Sequence, residues 1–172
     1  MSLVTFRRLV PEDASEFKRV RLLATQTDPE SLYPSHHELL SQSLDEFARE
    51  IAQSESGAAY GAFVDNELVA IASIRGSSLE KIRHRANLGT LYTDVAHRGR
   101  GIARQLIQLI LDDIQSLGHV DQVSLLVHSR NIPAKALYSR LGFKTIAIQP
   151  RSMLVGGQYI DEEYMLLSVS RG

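Results

Sequence analysis

Apolar residues recur along the chain with two spacings, one near two residues and one near 3.6, and their succession predicts the elements. Residues 3–8, which include Val4 and Phe6, read as a short first strand. Pro11, Glu12 and Asp13 then suit a helix start, because proline fixes φ where its missing N–H costs nothing and carboxylates favour the positive dipole end. Phe17, Val20 and Ala24 form the buried stripe of that helix. Residues 28–41 contain Pro29 and Pro34 and no convincing period, so a loop over one end of the fold is expected there, of the kind that often contacts substrate. Ser43 and Glu46 stand in capping-box spacing ahead of Leu44, Phe47, Ala48 and Ile51, which share one face of a second helix.

Residues 58–64 and 68–74 are β-rich and joined through Asp65, Asn66 and Glu67, which predicts a hairpin. A charged run at 80–85 precedes a central strand at 86–94, with Leu88, Thr90 and Tyr92 expected on one face and Gly89, Leu91 and Thr93 on the other. Ile102, Leu106, Leu109, Ile110, Ile114 and Leu117 have helical period, and Gly118 can supply a left-handed stop. A strand at 122–127 follows, then a helix at 133–141 with Ala134, Leu137, Tyr138 and Leu141 inward and Gly142 at its end. Strands at 144–148 and 162–169 bracket a turn-rich stretch holding Pro150, Gly156 and Gly157. The order β, α, α, β, β, β, α, β, α, β, β predicts a single α/β domain of three layers over residues 1–172, without repeat or linker.

Composition narrows the chemistry. The 172 residues carry 19 Lys plus Arg against 20 Asp plus Glu, a formal charge of -1, so a nucleic-acid partner is not expected. Cysteine is absent and there are 6 histidines, which excludes disulfides, thiolate metal sites and cysteine nucleophiles, and no metal is expected. The N-terminal residues, with Arg7 and Arg8 after Phe6, lack a signal peptide's apolar run, and no apolar stretch approaches the roughly 18–20 residues that span a bilayer. A cytoplasmic protein without membrane contact is the expectation.

The segment His97-Arg98-Gly99-Arg100-Gly101-Ile102-Ala103 lies between the end of the central strand and the start of the most periodic helix. Gly99 and Gly101 allow backbone to approach a ligand without Cβ obstruction, and N–H groups at a helix start converge on an anion that the dipole already favours. Two glycines alone also suit a plain tight turn with exposed arginines. The third glycine of a G-x-G-x-x-G motif would fall at Arg104, and no G-K-[ST] follows, so dinucleotide and nucleotide-triphosphate loops are excluded.

Arg98, Gly101 and Ala103, preceded by Leu91-Tyr92-Thr93-Asp94, resemble the R-x-x-G-x-[GA] signature of the GNAT N-acetyltransferase superfamily. Asn131 to Phe143 is similar to that family's N-x-x-A-x-x-L-Y-x-x-x-G-F segment, and the resemblance covers nearly the whole chain. Val95 stands where many relatives carry proline, and Ala103 replaces the more frequent final glycine. A weaker match follows Gly156-Gly157 into the acidic last strand. The resemblance implies a mixed, mostly antiparallel sheet with splayed central parallel strands and flanking helices. It also implies acetyl-CoA between the fourth and fifth strands, with backbone partners at Tyr92, Thr93 and Val95 and a phosphate cradle at Arg98, Gly99, Arg100, Gly101, Ile102 and Ala103.

Within the same resemblance, Tyr138 matches the position that protonates the departing thiolate, and a phenol with pKa near 10 is protonated at neutral pH. The bland reading of Tyr138 is a core tyrosine. Asn131 is both a helix cap and a partner for the pantetheine arm or a water. The implied reaction is N-acetyl transfer to a primary amine by direct attack, on a small molecule or protein; the alternative is a catalytically idle acyl-CoA binding or sensing module. A longer acyl chain stays open, as does a homodimer. An alkyl ammonium must lose a proton before attack, and Glu30, Glu80, His84, His128 and Glu163 are the candidate bases, with His128 best placed at the end of the fifth strand.

Overall fold

Strand β1 (Val4–Arg8) runs antiparallel to β2 (Gly57–Val64), and Leu9 is buried as the chain leaves the sheet for helix α1 (Ala14–Thr27). The computed structural model describes residues 3–52, 54 and 56–169, so residues 1–2, 53, 55 and 170–172 of the predicted domain lie outside the described residues. Two short helices follow, α2 (His36–Ser41) and α3 (Leu44–Ile51), and then β2, β3 (Glu67–Gly76) and β4 (Arg85–Thr93). Helix α4 (Ile102–Leu117), β5 (Gln122–His128), α5 (Ile132–Arg140), β6 (Lys144–Val155) and β7 (Gln158–Ser168) complete the order.

Among the described residues seven strands form one sheet in the order β1-β2-β3-β4-β5-β7-β6. Only β4 and β5 are parallel neighbours. Helices α4 and α5 pack on one face, where Ile102, Leu106, Ile107, Ile110 and Ile114 meet Ala58, Ala62, Ala70 and Ala72. Small side chains on the sheet let a branched helix face approach closely, and each buried Leu or Ile is worth roughly 1.5–3 kcal/mol. The other face carries α1 to α3, with Phe17, Leu39, Phe47 and Ile51 against Ala59, Leu68, Ile71 and Tyr92. The result is three layers, as expected. No helix of the described residues is long and apolar enough to cross a membrane.

Three expectations are corrected. Residues 28–41 are not all loop: Ser35 caps α2 and Glu38 closes a capping box, a signal that Pro34 masked. The last strands are longer than the runs at 144–148 and 162–169, because Gly156 and Gly157, at φ 56° and 77°, turn the chain directly from β6 into β7. The stretch around Pro150 is absorbed as a bulge between the Gln149↔Glu162 and Met153↔Ile160 pairs, with Arg151 at φ 52°.

The third concerns β4. Leu88, Thr90 and Tyr92 do not share a face, since Leu88 is in the α4 core and Tyr92 in the α1 core. Ser73 pairs with Gly89 but Ile71 with Tyr92, so β4 carries one extra residue, and Thr90 adopts φ 52° there. A bulge of one residue exchanges the two faces beyond it.

Candidate active site

The sheet opens at its centre. β4 and β5 pair only over Arg85↔Gln122, Ala86↔Val123 and Asn87↔Ser124, then separate. β5 keeps its antiparallel ladder with β7 to His128↔Glu162, and β4 keeps β3 to Ala70↔Thr93, so the gap between them is lined by main chain. A cleft of about 770 Å³ fills it, with Leu91 to Thr93 on one wall, His128, Arg130 and Asn131 on the other, and the starts of α4 and α5 at its border.

The segment from Arg98 to Ala103 forms one rim of this cleft. Gly99 and Gly101 both lie at φ 74°, a conformation in which a side chain is strained. A Cβ on Gly99 would meet nothing within 4 Å, so the space in front of the loop is open. Gly101 caps α4 without any side-chain acceptor, and Gln105 N–H makes the first bond back to Gly101 O at 3.1 Å. The preceding amides of α4 are therefore the helix's free donors, and the amides of Gly99, Arg100 and Gly101 also meet no acceptor among the described residues. Such a run of N–H groups at a positive helix end is an anion seat.

Arg98 is already engaged. Its Nε donates to Thr93 O at 2.9 Å, its Nη2 pairs with Asp28, and its guanidinium carbon lies 5.5 Å from the centre of the Tyr92 ring. Tyr92 is 3% exposed, with its phenol oxygen 2.7 Å from Thr27 Oγ1, so its side chain is structural. Thr93, Gly101, Ile102 and Ala103 border the cleft with Arg98 and Gly99, while Val95 is exposed in a 3-10 turn and neither Val95 nor Arg100 lines it.

Across the cleft, Asn131 Oδ1 accepts from Ala134 N at 3.1 Å as the cap of α5 and also borders the cavity. Leu137 lines the cleft, whereas Tyr138, next to it in sequence, is buried edge-on against Phe143 with ring centroids 5.9 Å apart and is not among the lining residues. Burial alone pushes its phenol pKa above the ordinary value, and its hydroxyl has no hydrogen-bond partner among the described residues. Buried tyrosines usually find one.

The candidate bases separate by position. His128 and Glu30 both line the cleft, with His128 Nε2 3.5 Å from Glu30 Oε2. Glu80 and His84 sit before β4 at the far end of the strand, outside the cleft. Glu163 is committed elsewhere: Lys135 holds its carboxyl below the usual range, burial opposes, and the Thr145 hydroxyl donates to it at 2.8 Å.

Four residues on the cleft carry no mark of their own in the sequence: Asp28 and Ser31 lie in a segment without period, and His97 and Arg104 flank the glycines without belonging to a spacing. Buried side-chain atoms without partners include Ser31 Oγ, Thr93 Oγ1, His97 Nδ1 and His128 Nδ1, all on residues of this cleft. Unsatisfied polar groups concentrated around one cavity mark a place where a polar ligand completes the bonding.

Similarity to known proteins agrees with this geometry. A family model described as Acetyltransferase (GNAT) family matches residues 20–143. The L-amino acid N-acetyltransferase AaaT of Escherichia coli (strain K12) is 27% identical over 104 residues, which are 60% of this chain and 64% of that relative's length. An acetyltransferase of the GNAT family from Streptococcus pneumoniae superposes with a TM-score of 0.86 at 21% identity, covering 98% of this chain and all of the other. The Salmonella typhimurium protein yncA, solved with its cofactor acetyl-CoA, gives a TM-score of 0.85 at 19% identity over 99% of this chain and 96% of its own. At these identities the likeness is one of fold.

Proposed function

Because the chain belongs to the GNAT acetyltransferase family, we propose that it moves an acetyl group from acetyl-CoA to a primary amine by direct nucleophilic attack. The observation that carries this is the uncapped amide run at the start of α4, set at the mouth of the β4–β5 gap. Acetyl-CoA supplies an activated thioester carbonyl. The amides from Gly99 to Arg104 hold its diphosphate, with Arg98 and Arg104 adding charge. The unpaired edges of β4 at Tyr92 and Thr93 and of β5 bond its pantetheine arm as a strand would. Asn131 borders that arm. Val95 and Arg100 act only by shaping and charging the loop.

His128, oriented by Glu30, takes the proton that the acceptor ammonium must lose. The amine nitrogen then forms a bond to the acetyl carbon as the carbon–sulfur bond breaks, the departing thiolate takes the proton of Tyr138, and the proton that the nitrogen sheds on becoming an amide restores the phenol through solvent. A phenol with no protein partner and a raised pKa is protonated at every working pH and available to a ligand sulfur. A backbone N–H near Thr93 is suited to polarise the carbonyl.

Thiol release from acetyl-CoA over an amine panel, with the product mass measured, tests the reaction. Tyr138→Phe is expected to lower kcat by about 100-fold or more, while calorimetry shows coenzyme A affinity kept within about twofold. The second reading, an idle acyl-CoA-binding module, is favoured by the burial of Tyr138 against Phe143, outside the lining of the cleft. Coenzyme A binding without thiol release for any amine would establish it instead.

A further inference from the structure

On the α1 side of the sheet a separate cavity of about 160 Å³ lies between the segment at Glu30, β4 just beyond its last pairing with β5, and the β6–β7 hairpin. Glu30 and Ser31 border both this cavity and the larger cleft, so the two spaces adjoin at this segment. Two of its lining residues are charged and almost wholly buried, Arg21 at 5% exposure and Glu162 at 4%.

Neither is fully matched. Glu162 Oε2 accepts from Tyr33 Oη at 3.0 Å and from Ser152 Oγ at 2.5 Å, but no cation meets it among the described residues. Arg21 Nη1 donates to Glu50 Oε2 at 2.6 Å, its Nε is buried without a partner, and its guanidinium carbon lies 5.5 Å from the ring centres of both Phe17 and Phe47. The Nε–Nη2 edge, a two-donor fork with the spacing of a carboxylate, is left unused. A buried carboxylate without a cation and a buried guanidinium with an idle edge are each costly, and one ligand of mixed charge answers both.

We propose that the acceptor is a small zwitterion of the amino-acid class, with its carboxylate on the free edge of Arg21 and its amine held between Glu162 and Glu30. This assignment rests on the acetyl-transfer reading above. Glu162 is the register partner of His128 across β5 and β7, so an amine beside it stands next to the base. An adjoining hollow of about 410 Å³, bordered by Leu32, Tyr33, Pro34, Met153 and Leu154, receives an apolar side chain.

The test compares L-leucine, L-leucinamide and 3-methylbutylamine as acceptors with acetyl-CoA and the full chain. Leucine is expected to exceed the two probes without a carboxylate by about tenfold or more in kcat/KM, because losing it leaves the Nε–Nη2 edge of a buried guanidinium without an acceptor. Arg21→Lys keeps the charge but removes the fork, and is expected to lower the leucine to 3-methylbutylamine ratio by about tenfold. Equal use of all three by the unaltered protein, or a parallel fall with no change of ratio in Arg21→Lys, overturns the proposal and leaves the transferase reading standing. If no amine releases thiol, the transferase reading fails, and calorimetry on the coenzyme-A-loaded protein decides the cavity. Heat with leucine and none with 3-methylbutylamine supports the assignment, and no heat with leucine overturns it.

Discussion

At the scale of single residues, opposite charges contend for the same arginine. Arg98 is the loop's cation, yet Asp28 from the end of α1 already occupies its Nη2, and both side chains are 43% exposed. A diphosphate at the glycine loop must share Arg98 with that carboxylate. Asp28→Asn removes the competitor and is expected to tighten acetyl-CoA binding about threefold to tenfold by calorimetry, with the gain shrinking as salt is raised. Weaker binding by the variant would mean that Asp28 positions Arg98 instead of opposing the ligand. Legibility differed sharply from residue to residue. Arg98, Gly99 and Gly101 announced themselves by type and spacing. Arg21 was also visible in principle, since it stands four residues after Phe17 and three before Ala24, on the stripe where a charge needs a reason. Asp28 and Glu162 carried no such mark, because their importance comes from neighbours 70 and 129 positions away, at Arg98 and Tyr33.

At the scale of elements, local chemistry was readable where it was strong. Helix α4 begins at Ile102 and ends on Gly118 at φ 69°, as its period and its glycine imply. A Cβ on Gly118 would meet nothing within 4 Å, so Gly118→Ala tests the backbone term alone and is expected to cost about 1 kcal/mol in urea denaturation. The capping box of α3, Ser43 with Glu46, matched its expectation to the atom, with Glu46 N–H donating to Ser43 Oγ at 3.3 Å. The equivalent Ser35–Glu38 pair of α2 lies beside Pro34 and heads only six helical residues, too few to show a period. The β4 bulge left no local signal. Thr90 is a β-branched residue in a left-handed conformation, held there by pairing on β3 and by the two cores that take Leu88 and Tyr92 on opposite faces.

At the scale of the whole molecule, contacts across the cleft tie the site to the sheet. Lys135 of α5 pairs with Glu163 of β7, and Glu163 also accepts from Thr145 of β6, so one carboxylate joins three elements beside the β4–β5 gap. Its pKa is lowered in the folded state, so its stabilisation is full above the ordinary carboxylate value and is lost as pH falls through the lowered one. Glu163→Gln is expected to reduce stability by about 1–2 kcal/mol at pH 7 in urea denaturation, with the difference from the unaltered protein vanishing in acid. A constant difference at all pH values would assign the loss to packing. The sequence by itself determined the order of elements apart from α2, the start of α3 and the stop of α4, the glycine loop and the family, because each is written in residues close together along the chain. Only tertiary structure decided that β4 and β5 part after three pairs, that the β4 faces exchange at Thr90, and that Arg21, Glu30, His128 and Glu162 gather at one gap. Those outcomes depend on long-range pairing and burial, where the free energy of a residue is set by what the rest of the chain brings against it.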